Sequence, residues 1–152
     1  MAEAWQEPGA REAEDTATAD KPAYAQVRDE WCWVKGGIEE ILAEQPQLTF
    51  RPEDVYAACL NGEAHLWVAP EGFVITTTEV DEFTEAKTFF VWLTWAKKRG
   101  ENCGLKYYTF FAQVAKENGF SNIEVRTPIR ALENKLVAEG WKKDTVIFTR
   151  DV

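Results

Sequence analysis

Apolar residues recur three and four residues apart in several parts of the chain, which is the spacing of one helix face. The longest such part covers residues 24–42, and the pair Gly36-Gly37 is expected to divide it into two short helices. Another helix is predicted to begin at Pro52 and to end at Asn61-Gly62, where the backbone can turn left-handed. Helices are accordingly predicted over residues 24–42, 52–60, 105–117 and 128–139.

Strands are predicted where short apolar runs consist of β-branched or aromatic residues. The run from Phe89 to Trp95 is almost continuously apolar, which is typical of a strand buried on both faces. We therefore expect it to lie inside a sheet that has helices on both sides. The predicted strands are 65–69, 73–80, 88–96, 122–126 and 141–150. Their alternation with helices late in the chain indicates an α/β fold with a mixed sheet.

The first 22 residues differ from the rest of the chain. They carry six acidic side chains against two basic ones, and Trp5 is their one large apolar residue apart from Met1. Such a segment lacks the apolar surface to pack alone, so we expect an acidic arm over residues 1–22 and a folded domain over residues 23–152. Two interpretations of the arm stay open. It is a solvated tail, or it docks on a partner protein through Trp5.

Net charge and residue usage exclude several function classes. The chain of 152 residues has 17 Lys and Arg against 26 Asp and Glu, a net charge of −9, which disfavours nucleic acid and anionic membrane surfaces. No apolar run is long enough to span a bilayer, and the start of the chain does not resemble a secretion signal. The three cysteines form no CxxC pair and indicate reduced thiols. With His65 as the single histidine, no histidine-based metal site or catalytic triad is predicted, and a structural role for His65 is favoured.

The loop Arg99-Gly100-Glu101-Asn102-Cys103-Gly104, placed between a long central strand and a helix, carries a resemblance to a known family. Together with the order of elements over residues 24–152, it resembles the GNAT superfamily of acetyl-CoA-dependent N-acetyltransferases. That family has a Q/R-x-x-G-x-G/A motif here, whose backbone N–H groups hold a pyrophosphate. Arg99 and Gly104 match the motif, Asn102 replaces its first glycine, and Glu101 adds a negative charge. The resemblance implies these cofactor-binding candidates: Leu93, Thr94, Trp95, Arg99, Gly100, Glu101, Asn102, Cys103, Gly104 and Leu105.

A narrower resemblance begins with the run from Pro52 to Val68 and continues in the Thr78–Asp81 and Phe90–Leu93 segments. The Ile123–Val125 strand and the Gly140-Trp141 turn share it. These segments are similar to small GNAT-like proteins of tailed phages and prophages, some of which are virion components. The resemblance implies protein partners, above all phage virion proteins, and a location in the virion or the host cytoplasm.

Catalysis by a GNAT enzyme needs an acid for the leaving thiolate and a base for the amine. In the family the acid is commonly a Tyr of the last helix, and the corresponding position here is Leu136. Tyr108 is a weak substitute that is more simply explained as core. Glu79 and Glu82 are weak candidates for the base, although their segment is equally a solvated connection between strands. Cys103 in the loop would be a reactive thiol if a helix N-terminus stabilised its thiolate, but a small space-filling residue is the favoured interpretation.

Two functions are compatible with these features. The favoured hypothesis is a catalytically degenerate GNAT-like phage protein that acts as a virion or assembly component, with no cofactor. The alternative is an N-acetyltransferase that uses acetyl-CoA. Ligand occupancy of the Arg99–Leu105 loop distinguishes the two.

Overall fold

The structure is a computed structural model that describes residues 21–152. Trp5 and nearly all of the predicted acidic arm therefore lie outside the described residues. The strands are β1 (Ala23–Ala25), β2 (Ala64–Ala69), β3 (Gly72–Val80), β4 (Lys87–Ala96) and β5 (Asn122–Val125). The helices are α1 (Val27–Glu44), α2 (Pro52–Leu60), α3 (Cys103–Lys106), α4 (Tyr108–Glu117) and α5 (Arg130–Ala138).

The strands form one mixed sheet in the order β1-β2-β3-β4-β5. The first three pairings are antiparallel, and β5 runs parallel to β4. Strand β4 is hydrogen-bonded to β3 on one side and to β5 on the other, as its continuous apolar run predicts. The α/β fold with a mixed sheet and helices on both faces is confirmed.

Two hydrophobic cores cover the two faces of the sheet. On one face, α1 and α2 pack through Val34, Ile38 and Val55 against β2, β3 and β4. On the other face, Phe111 and Val114 of α4 pack against Trp67 and Phe89. Burial on both sides explains why β4 is apolar along most of its length.

Helix α1 continues without a break through Gly36-Gly37, so the expected division there is wrong. A Cβ atom at Gly37 would lie 2.5 Å from Phe73 Cε2 and 2.9 Å from Trp95 Cδ2. Glycine is thus present because the helix backbone sits directly on two aromatic rings of the sheet, and the gain in packing outweighs its low helix propensity. The helix also begins later than expected, because Tyr24 belongs to strand β1.

Two further expectations need correction. The helix predicted over 105–117 is interrupted at Tyr107, which ends α3 and precedes α4. The strand predicted over 141–150 does not form, and residues 142–152 are all exposed. The sequence there has strand propensity, but propensity produces a strand only where a partner edge is in place.

A bulge interrupts the pairing of β3 and β4 at the point where β4 and β5 separate. Ile75 pairs with Leu93, whereas the next residue, Thr76, pairs with Val91, so Trp92 has no partner on β3. The pairing of β4 with β5 also ends at Val91. A bulge bends its strand and increases the local twist, and this one lies where the pairing of β4 with β5 ends.

Candidate functional site

The candidate site lies where β4 extends beyond its pairing with β5. No described strand pairs with residues 92–96 on the β5 side. The chain leaves β4 through the loop 97–102 and enters the short helix α3. The Arg99–Leu105 segment, singled out for its glycines, therefore lies at the open end of the gap between the two parallel strands.

Within this loop, the side chain of Asn102 is hydrogen-bonded to a backbone N–H group. Its Oδ1 accepts a hydrogen bond from the Leu105 N–H at 3.1 Å, so it caps α3. Gly100 adopts a φ of +90°, a conformation that favours glycine. Gly104 packs closely on β4, since a Cβ atom there would lie 3.1 Å from Thr94 Cγ2. The two glycines thus serve the turn and the close approach of the helix to the strand.

A cavity of about 310 Å³ opens beside the loop. Three carboxylates and two ammonium groups surround it, which leaves an acidic balance. Its lining residues are Glu71, Gly100, Glu101, Asn102, Cys103, Leu105, Lys106, Lys135 and Glu139. Five of the predicted cofactor-binding residues are therefore brought together at one cavity, together with Lys135 of α5 and Glu139 at its end, which the sequence did not indicate.

Glu71, from the β2–β3 turn, is the central charged group of this cavity. Its carboxylate accepts hydrogen bonds from Lys106 Nζ at 2.7 Å and from the Tyr107 hydroxyl at 2.6 Å. These two bonds hold the pKa of Glu71 below its usual value, and the carboxylate in turn raises the pKa of Lys106. Lys106, one of the two cations that line the cavity, is thus already paired.

Cys103 is buried, and its Sγ lies 3.7 Å from the Trp95 carbonyl oxygen, to which it donates a weak hydrogen bond. Burial, with Glu71 and Glu101 nearby, raises the pKa of the thiol to about 11. The thiol is therefore protonated at neutral pH, and the space-filling interpretation of Cys103 holds. A reactive thiolate is not supported here.

The remaining cofactor candidates do not line the cavity. Leu93 belongs to the core under α1, and the Trp95 ring stacks on Phe73 and donates Nε1–H to Glu40 at 2.6 Å on that same face. Thr94 contacts Gly104, and Arg99 is exposed. A ligand in the cavity could reach Leu93 and Trp95 only through main-chain atoms.

The catalytic candidates are separated from one another. Glu79 accepts both of its contacts from Arg126 Nη2, at 2.9 and 3.1 Å, and Arg126 also stacks over the Phe90 ring at 4.2 Å. Glu82 is exposed in the β3–β4 loop. Tyr108 is half-exposed and its ring lies 5.4 Å from that of Trp141, in a second cavity of about 460 Å³ between α4 and the end of α5. Leu136, at the position that the resemblance assigns to the acid, is buried.

His65 has a structural environment, as predicted. It is buried on β2, and the Tyr24 hydroxyl lies 3.1 Å from its Nδ1. Among residues 21–152, no three His, Cys, Asp or Glu side chains cluster in a way that could hold a metal ion. None of the helices described is long and apolar enough to cross a membrane.

Comparison with solved structures finds acetyltransferases at low sequence identity. A putative acetyl transferase from Pyrococcus furiosus is 18% identical with a TM-score of 0.64, over 87% of this chain and all of that one. A possible acetyltransferase from Clostridium difficile 630 is 11% identical with a TM-score of 0.62, and the match covers 87% of this chain and 97% of that one. A ribosomal-protein-alanine N-acetyltransferase from Brucella melitensis biovar Abortus 2308 is 17% identical with a TM-score of 0.53, and the match covers 84% of this chain and 99% of that one.

No protein-family model and no curated protein matches the sequence. None of the three structures bears on the narrower resemblance to phage proteins, which stays a prediction. Such low identities establish architecture and not activity. The chain therefore has the GNAT acetyltransferase fold.

Proposed function

We propose that this chain is a GNAT-fold protein that does not transfer acetyl groups and acts through protein contacts, as a virion or assembly component. The observation that carries the proposal is the environment of the catalytic positions. A buried Leu136 occupies the place of the acid, and Glu79 is held by Arg126. A general base must be able to reach the proton it removes, and both carboxylate oxygens of Glu79 already accept a hydrogen bond from Arg126 Nη2.

The loop supports the same proposal. A pyrophosphate beside it would meet Glu71 and Glu101, and one N–H of the loop already donates to Asn102. Charge repulsion and the loss of a donor both weaken anion binding. The assembly role itself rests on the similarity of the sequence to phage proteins, and its partners are then other virion proteins.

An acetyl-CoA-dependent N-acetyltransferase is the second candidate, and two observations favour it. A cavity lies beside the loop, and solved structures that resemble this chain include acetyltransferases. In that function acetyl-CoA would supply the thioester, the main chain of residues 99–105 would hold its pyrophosphate, and Lys135 would add a positive charge. Tyr107 or Tyr108 would have to protonate the leaving thiolate.

Thermal unfolding with and without acetyl-CoA separates the two candidates. Ligand at a hundred times its Kd would stabilise the fold by about 2.7 kcal/mol, which raises Tm by about 5 °C or more for a chain of this size. We expect almost no shift at micromolar acetyl-CoA and no release of CoA thiol with amine substrates. A large shift with turnover would overturn the proposal in favour of the enzyme.

The variant Asn102→Gly tests the loop directly. Removal of the side chain frees the Leu105 N–H, so acetyl-CoA binding should become measurable if the loop is a degenerate cradle. Asn61→Gly is the matched control, since Asn61 is exposed at the end of α2, far along the chain from the loop. Equal behaviour of the two variants would show that Asn102 does not limit binding.

A further inference from the structure

The C-terminal segment, residues 144–152, contains an apolar run with strand propensity, yet all of its residues are exposed. Its residues Thr145 to Thr149 are all β-branched or aromatic. Val146, Ile147 and Phe148 are 54%, 75% and 90% exposed. Three consecutive apolar side chains in water indicate a segment whose partner is missing.

The sheet ends in an open edge, the four-residue strand β5, which is close in length to the run of residues 145–149. Strand β5 pairs with β4 alone among the described strands, so its outer N–H and C=O groups face no strand. Ile123 and Val125 are only half-buried at this edge. An unprotected edge strand beside apolar side chains is a template for the addition of another strand.

The segment is held away from its own sheet at its base. The Trp141 N–H donates to the Leu136 carbonyl at 3.0 Å, and the Trp141 ring packs on Tyr108. Lys143 Nζ lies 2.9 Å from Glu133 Oε1, so residues 141–143 run back along α5. Residues 144–152, which follow, are all exposed.

We propose that two copies of this chain exchange their C-terminal segments, each adding residues 145–149 to the β5 edge of the other. Each copy holds one edge and one segment, so a closed two-fold dimer satisfies both at once. In an antiparallel register with Asn122 opposite Thr149, Phe148 lies opposite Ile123 and Val146 opposite Val125. Both apolar pairs then fall on the face that continues the core under α4. This inference uses residues outside the cavity beside the Arg99–Leu105 loop and does not depend on the proposed function.

The first test measures the mass of the full chain in solution by light scattering across the micromolar range. We expect a dimer, and Phe148→Ser should weaken dimerisation by about ten- to a hundredfold because a buried phenyl ring is lost. Phe83→Ser is the matched control, since Phe83 is 92% exposed in the β3–β4 loop and should leave the dimer intact. A monomer at all concentrations, or equal effects of the two variants, would overturn the proposal.

The second test fixes which chain supplies the strand. In a Cys32→Ser background, which removes the exposed thiol, Asn122→Cys and Thr149→Cys are made in separate chains and mixed. Directly opposed residues of two strands approach within disulfide distance, so we expect a cross-linked dimer of the two different chains. The doubly substituted chain should also cross-link into dimers. If it closes instead into a disulfide-bonded monomer, the segment pairs with its own β5 and the exchange is wrong.

Discussion

Glu71 shows how one side chain fixes the charge balance of the cavity. It stands in a tight turn and bonds Lys106 and Tyr107, which lie 35 and 36 residues later. Lys106 and Tyr107 compensate the negative charge of the carboxylate. Because Lys106 is bonded to Glu71, it is no longer a free cation for a phosphate. The same contact therefore stabilises the loop and lowers its affinity for anions.

The variant Glu71→Gln tests this contact through pH. The pKa of Glu71 is below its usual value of 4.5 in the folded chain, so the contact stabilises the fold fully above that pH and is lost as the pH falls through the lowered pKa. We expect wild type to exceed the variant in Tm by on the order of 1–3 °C at pH 7, and the difference to vanish in acid. Glu82→Gln, in the exposed β3–β4 loop, is the matched control and should leave Tm at pH 7 unchanged. A difference that persists in strong acid would contradict the role of the Glu71 charge.

At the scale of elements, the fit of α1 on the sheet depends on one glycine of a pair. A Cβ atom at Gly37 would meet the rings of Phe73 and Trp95, whereas a Cβ atom at Gly36 meets nothing within 4 Å. Gly36→Ala should raise the free energy of unfolding by about 0.5–1 kcal/mol through helix propensity. Gly37→Ala should lower it by about 1–3 kcal/mol through overpacking. Denaturant unfolding of both variants checks the pair, and equal changes would refute the close contact of α1 with β3 and β4.

At the scale of the whole molecule, the acidic N-terminal arm is expected to dock on a partner with a basic groove through Trp5. Removal of residues 1–20 should leave Tm nearly unchanged, and Pro22 is kept because it is buried beside β1. Association with the assembly should weaken, more so at high salt, and Trp5→Ala should reproduce much of that loss. Thr16→Ala is the control within the arm. Quantification of the chain in purified particles checks the prediction, and normal incorporation without the arm would make it a simple tail.

Much of the fold was predictable because the conformation of these segments depends on residues that are close together in the sequence. The alternation and β-branching of residues 65–96 located three strands to within a residue, and the unbroken run from Phe89 placed β4 inside the sheet. Local conformational preference and burial leave this pattern in any sequence that folds. The glycine loop was visible for the same reason, as a short run of residues that permit an unusual backbone.

The contacts that give the site its character were decided by tertiary structure alone. Arg126 and Glu79 lie 47 residues apart, and nothing in their local sequence indicates that they bond. The bulge at Trp92 lies where the pairing of β4 with β5 ends. At Gly37 the backbone of α1 lies against the rings of Phe73 and Trp95, although the glycine pair predicts a break in the helix. The 141–150 segment has the sequence of a strand but no partner on the described chain. Strand pairing and helix packing depend on surfaces that meet only after the chain has folded, so local patterns cannot specify them.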